Sequence, residues 1–189
     1  MLQKLNLNDS IDFNDYNTDK YIEDFVFAGI VIMTGQKPEQ YFVDAVCKHL
    51  TNKENNKNKV FQQLVDDLFD TIQPICDSEC WYDKSFVENF YRYFQVITGE
   101  FSTIIRLRNR KTYKYYSRKT ACEICSKYHE NVMNVKDALK IISKYVTAAK
   151  TKDVELIKSS STFVVNSKKK SVIPPLHIGC GCRVLADLG

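Results

Sequence analysis

SFVENFYRYFQVI, residues 85–97, decides how the first half of the chain is read. Phe86, Phe90, Tyr93, Phe94 and Ile97 recur at intervals of three and four, which sets them along one face of an α-helix and marks that face as core. Ser85 is a candidate N-cap, and Glu88 three positions on completes a capping box. The same spacing joins Phe42, Val43, Val46 and Leu50 behind Pro38, predicting a helix over about residues 38–51. It also joins Val60, Leu64, Val65, Leu68, Phe69 and Ile72 in a run that Pro74 stops. Between them TNKENNKNK, residues 51–59, has the composition of a loop.

Past residue 102 the pattern changes. Thr103–Leu107 and Thr112–Tyr116 are β-prone pieces around Asn109, Arg110 and Lys111, an arrangement that predicts a hairpin. Val135, Ala138, Leu139, Ile142, Tyr145, Val146 and Ala149 mark an amphipathic helix. After the break at Ser159–Ser161, Thr162–Val165 and Val172–Ile173 read as strands around a polar turn holding Lys168, Lys169 and Lys170. No internal repeat is present. The fold class expected is α+β, mainly helical, with a helical N-terminal part and a small α+β C-terminal part.

The chain has 189 residues, 44% hydrophobic and 12% aromatic, with six Gly and four Pro. This composition excludes collagen-like and wholly disordered classes. A chain of this size buries roughly 70% of its unfolded surface and needs neither disulfide nor metal merely to have a core. The longest apolar run, Phe25–Met33, falls short of the ~20 residues a bilayer requires, so no membrane span is expected. MLQKLNLNDSIDFNDYN lacks a basic start followed by an apolar stretch. No secretory signal is expected, and the cytoplasm is the simplest compartment. Seven cysteines, an odd number without an export signal, then point to thiols or metal ligands over a disulfide framework.

Net charge of +4 conceals a division: residues 1–105 carry 9 Lys/Arg against 17 Asp/Glu, residues 106–189 carry 18 against 6. The first is an acidic helical region; the second is read as a basic zinc-binding module. Basic density peaks in RLRNRKTYKYYSRK, residues 106–119, where Arg106, Arg108, Arg110, Lys111, Lys114, Arg118 and Lys119 stand without one acid. Tyr113, Tyr115 and Tyr116 are interleaved. Such a segment can neutralise phosphates and stack on bases, or complement an acidic protein surface. Its plain alternative is a solvated strand with half-buried tyrosines.

Two cysteine motifs carry the chemistry. Cys122-x-x-Cys125 places two thiolates on one short turn. His177-x-x-Cys180-Gly181 offers a second pair at equal spacing, with glycines that admit a tight backbone. Two pairs make a closed tetrahedral zinc site, structural because no position stays open, and the expected α+β C-terminal part, residues 106–189, is accordingly read as zinc-stabilised. Cys182 is a fifth candidate, either replacing His177 or lying behind the ligands. The alternative is a buried pair of small cysteines beside an incidental histidine. Cys47 with His49, and Cys76 with Cys80, raise the question of a second site; Cys47 adjoins the apolar face at Val46 and reads as core. His129 reads as a surface histidine. A thioredoxin-like role lacks its βαβ context, and zinc deamination lacks its His-x-Glu.

With these residues in view, the basic part resembles the C-terminal module of the phage Mu F-like minor head proteins, the phage head morphogenesis family. The resemblance rests on Arg118-Lys119-Thr120-Ala121-Cys122-Glu123-Ile124-Cys125 and Pro174-Pro175-Leu176-His177-Ile178-Gly179-Cys180-Gly181-Cys182-Arg183, and in order of elements covers residues 85–185. Ile178 stands where the family usually has proline, Gly181 where it has arginine, and the insert 126–173 is long. The resemblance implies a viral structural protein of a tailed bacteriophage, a minor head or capsid-assembly protein of the virion put together in the host cytoplasm. Its partners would be portal or capsid proteins, with packaged DNA as a further contact. A competing reading is a zinc-dependent nucleic-acid-binding module. No enzyme is expected: Ser-His-Asp order, phosphate-cradling Gly loop and His-Glu-x-x-His are all missing, and three histidines leave little general-base capacity.

Overall fold

The computed structural model describes residues 11–75, 82–163 and 171–187. Helix α1, Ile22–Thr34, is the centre of the molecule. Every residue from Phe25 to Val31 is buried, the condition of a helix that is apolar on all sides and surrounded by others. Its C-terminus closes on Gly35, whose φ of 76° is left-handed and whose N–H returns to the Val31 carbonyl. Around it pack α2 (Gln40–Thr51), α5 (Lys84–Arg106), α7 (Val135–Thr151) and α8 (Val154–Ser160). Gly29 lets α1 and α5 approach, since an added Cβ would stand 3.1 Å from the Tyr93 ring and 3.2 Å from the Phe90 ring.

The helices expected behind Pro38 and after Val60 form, the second as α4 (Phe61–Ile72), and the polar stretch between them holds one turn, α3 (Lys53–Asn56). The cap of α5 differs from expectation. Asp83, not Ser85, sits at the N-cap, and its carboxylate accepts the Phe86 N–H at 2.7 Å. Ser85 lies inside the first turn. Both residue types cap well, and the carboxylate two positions earlier also complements the helix dipole.

Helix α5 also runs through Thr103–Ile105, so the first strand of the expected hairpin does not exist. Ile104 and Ile105 are buried on the helical face, and the Thr103 hydroxyl bonds the Gly99 carbonyl at 2.9 Å. Packing at helical spacing outweighs the β preference of these branched residues. Strand β1 (Thr112–Tyr116) forms where expected but takes distant partners: β2 (Val132–Asn134) on one side and β3 (Arg183–Ala186) on the other, both antiparallel. Tyr113 faces Ala186 and Met133; Tyr115 faces Val184. The single turn α6 (Glu123–Ser126) precedes β2. Val172 and Ile173, expected as a strand, are buried loop, with the Val172 carbonyl accepting the Tyr113 hydroxyl at 2.7 Å. Thr162 and Phe163 also lie outside any strand; Val164, Val165 and Lys168–Lys170 fall outside the described residues.

The fold is thus α+β and mainly helical. The hydrophobic core crosses the change of charge at residue 105: Phe25 meets Phe101 and Tyr145 edge-on, and the Tyr93 and Tyr145 hydroxyls share a buried hydrogen bond of 3.0 Å. Glu100 joins α5 to the sheet by accepting the Val184 N–H at 2.8 Å, and burial pushes its carboxyl above the usual range. Among the described residues no helix is long and apolar enough to cross a membrane.

Asp83→Ala should lower unfolding free energy by about 1 kcal/mol in urea denaturation, and Ser85→Ala by less than half of that. Equal losses would return the cap to Ser85.

Candidate metal centre

The two cysteine motifs meet at one end of the sheet. Cys122 is the N-cap residue of α6 and Cys125 lies within that turn, whose 3.6-residue geometry brings both thiols to one side. The opposing segment doubles back at His177–Cys180, where the Cys180 N–H reaches the His177 carbonyl at 3.2 Å. Gly179 supplies the φ of 75° at the third position, a value a side chain would strain. Cys180 and Cys182 then enter the core just before β3.

His177 Nε2 lies 3.1 Å from Cys122 Sγ and 3.2 Å from Cys125 Sγ; Cys125 Sγ lies 3.7 Å from Cys180 Sγ. Two overlapping triads result: Cys122, Cys125 and His177, and Cys125, Cys180 and Cys182, with all ligand atoms in each within 4.8 Å of one another. These are the five residues the sequence singles out, and Cys125 belongs to both sets. Its sulfur is too far from that of Cys180 for a disulfide, which needs about 2.05 Å. The separations instead approach the edges of a tetrahedron whose sulfur and nitrogen ligands stand about 2.0–2.3 Å from a central ion. The five side chains form a cluster able to bind a metal ion.

Three observations show that the surroundings suit a metal. His177 Nδ1 is 2.6 Å from the Ile178 carbonyl, which requires the proton on Nδ1 and leaves the Nε2 lone pair facing the thiols. Hydrogen bonds from Cys125 and Cys180 hold the Cys182 thiol well below the ordinary thiol range, while hydrogen bonding to Cys180 and Cys182, followed by burial, pushes Cys125 far above it. Buried thiols this close oppose one another's ionisation, whereas a dication lets all of them ionise. Third, the Tyr115 hydroxyl is buried against the Cys125 and Cys182 sulfurs without a well-aligned hydrogen bond. A thiolate is the acceptor such a donor lacks.

Arg118 fastens the C-terminal motif from outside. Its Nε donates to the Gly181 carbonyl at 2.7 Å, and its guanidinium lies where any side chain at residue 181 would have to be. Sequence reasoning grouped Arg118 with partner contacts and missed this internal duty. It also missed Tyr115, although the alternation of TYKYY places Tyr113 and Tyr115 on one face. Both are fully buried and cannot stack on a ligand; Tyr116 alone of the three is exposed. Arg106, Arg108, Arg110, Lys111 and Lys119 are exposed, and Lys114 pairs with Asp187 at 3.3 Å.

Cys47 and His49 stand apart from both triads. Burial pushes the Cys47 thiol up to about 12 and the His49 imidazole down, as expected of groups held neutral in a core. Cys76 and Cys80 lie outside the described residues. His129 is exposed, and its Nδ1 accepts the Ser117 N–H at 3.1 Å.

No protein-family model, curated protein or solved structure matches the chain.

Gly181→Ala should displace Arg118 and break its hydrogen bond, and Arg118→Ala should remove the same bond; each should cost about 1–2 kcal/mol. In a double-mutant cycle the pair should cost little more than the larger single change, because both remove one interaction. Additive losses in denaturant titrations would show that the two residues act separately.

Proposed function

We propose that this chain is a non-enzymatic structural component of a tailed-phage virion, a minor head or assembly protein near the portal vertex, fastened by one structural Zn2+. The observation that carries the proposal is the meeting of Cys122-x-x-Cys125 with His177-x-x-Cys180-x-Cys182. These are the two motifs by which the chain resembles the phage head morphogenesis family. Thiolate-rich donors in a tetrahedral arrangement favour zinc over harder cations. Four protein ligands fill such an ion's coordination, so its effect is to neutralise buried thiolates and crosslink two segments of chain.

Residue 181 departs from the family pattern. Where the family usually carries arginine, this chain has glycine, and the guanidinium of Arg118 fills the space a side chain there would take. Portal or capsid proteins are the proposed partners, packaged DNA a further one, and the virion assembled in the host cytoplasm the proposed location.

Particles purified by density gradient from cells making the chain alongside its neighbouring gene products should contain it, with about one zinc per copy. Finding the chain only in the soluble fraction while complete particles form without it would overturn the virion role. The metal is tested separately on purified protein: elemental analysis should find about one equivalent of zinc, lost in Cys125→Ser and retained in Cys47→Ser. Protein never exposed to chelator but free of zinc would overturn the metal assignment.

A further inference from the structure

Beside the cysteine cluster the surface sinks into two adjoining grooves of about 790 and 780 Å3 that share Arg118, Gly181, Arg183 and Leu185. The first runs over the solvent face of the sheet, where Tyr116 stands opposite Arg183 and both point outward. Among the described residues no acid lines it, while Arg118, Lys119 and Arg183 do. The second passes between α5 and β3 and adds Arg92 and Arg106; its one acid, Glu100, is buried and already bonded to the Val184 N–H.

The neutral groups of the first groove agree with its charge. His129 lies edge-on to Tyr116 at 4.8 Å between ring centroids. Its Nδ1 accepts the Ser117 N–H, so the proton is on Nε2, leaving a donor as the ring's second polar site. An anion therefore meets donors from three cations and one imidazole. The Tyr116 ring remains 45% exposed among them.

From this juxtaposition we infer that the groove binds single-stranded nucleic acid, its phosphates lying along Lys119, Arg183 and Arg106 and a base stacking on Tyr116. Charge complementarity selects a polyanion. The exposed aromatic selects one with unpaired bases, because a duplex keeps its base faces stacked inside. Each groove has the volume of a small-molecule pocket, of a size to take individual nucleotides. The inference does not depend on the virion reading. It does depend on the clamp, since Lys119 and Ser126 flank the first cysteine motif while Gly181 lies within the second and Arg183 follows it.

The test uses metal-loaded protein of verified zinc content and a fluorescein-labelled oligothymidylate, followed by anisotropy in about 50–200 mM salt. Binding should weaken with salt. Lys119→Ala and Arg183→Ala should each reduce the log–log slope by about 0.7, the value for one phosphate of a single strand. Tyr116→Leu should weaken binding about tenfold with the slope unchanged. All three side chains are exposed, and an unchanged melting temperature and zinc content establishes that each variant is folded. A labelled duplex of equal length should bind less tightly than the single strand. No binding at the lowest salt overturns the inference, as does a Tyr116→Leu affinity equal to that of the parent, which would mean unspecific charge attraction. Tighter duplex binding, or sedimentation showing the face covered by the acidic half of a second copy, would also overturn it.

Discussion

The contact between Cys125 and Cys180, 3.7 Å from sulfur to sulfur and made across 55 residues of chain, is the constraint on which the basic half depends. Strand β3 comes from the C-terminal segment, β1 and β2 from a region some fifty residues or more before it, and among the described residues the sheet has three short strands. A sheet so small is marginal without support. The sulfur contact anchors the start of β3 against the turn that follows β1, Glu100 holds its backbone from α5, and Arg118 holds the glycine between the two last cysteines. Those three attachments use three kinds of chemistry, and each fixes the same four-residue strand.

The helical half was legible because its cores are local patterns. Phe90 to Ile97 and Leu64 to Ile72 announce their faces at spacings of three and four, and those faces are the ones buried, whereas Val60, expected on the same face, is the exposed N-cap of α4. The cysteine–histidine cluster was legible for a related reason: each half of it is a short motif, and all five candidate side chains converge. What the sequence left hidden depends on distant partners. Thr103–Ile105 read as strand because branched residues favour strands in isolation, yet they continue a helix whose other face is already in the core. Strand β1 could not disclose that it would pair with residues 132–134 and 183–186 instead of its neighbours. Tyr115 and Arg118 gained their tasks only when the two cysteine motifs came together.

Charge divides the chain more sharply than packing does. Phe25 touches Phe101 from the acidic part and Tyr145 from the basic part, and the Tyr93–Tyr145 hydrogen bond lies buried between them. Across the surface, Lys152 of the basic part reaches Glu23 of the acidic part at 2.6 Å. Such exposed pairs contribute little to stability individually, and the apolar contacts beneath them provide the adhesion. Opposite net charge in the two parts is therefore compatible with one continuous core, and it leaves the cations near residues 106–119 facing outward.

The central position of α1 has an evolutionary consequence. Because that helix is packed against α2 and α5 from the acidic part and α7 and α8 from the basic part, neither half owns its own interior. A cysteine-bearing tail transplanted alone onto a foreign helical bundle would arrive with α7 uncovered, its apolar stripe open to water. Recombination among relatives should thus pass α1, α5 and the tail to descendants as a single inherited block, with variation gathering in the stretches outside it.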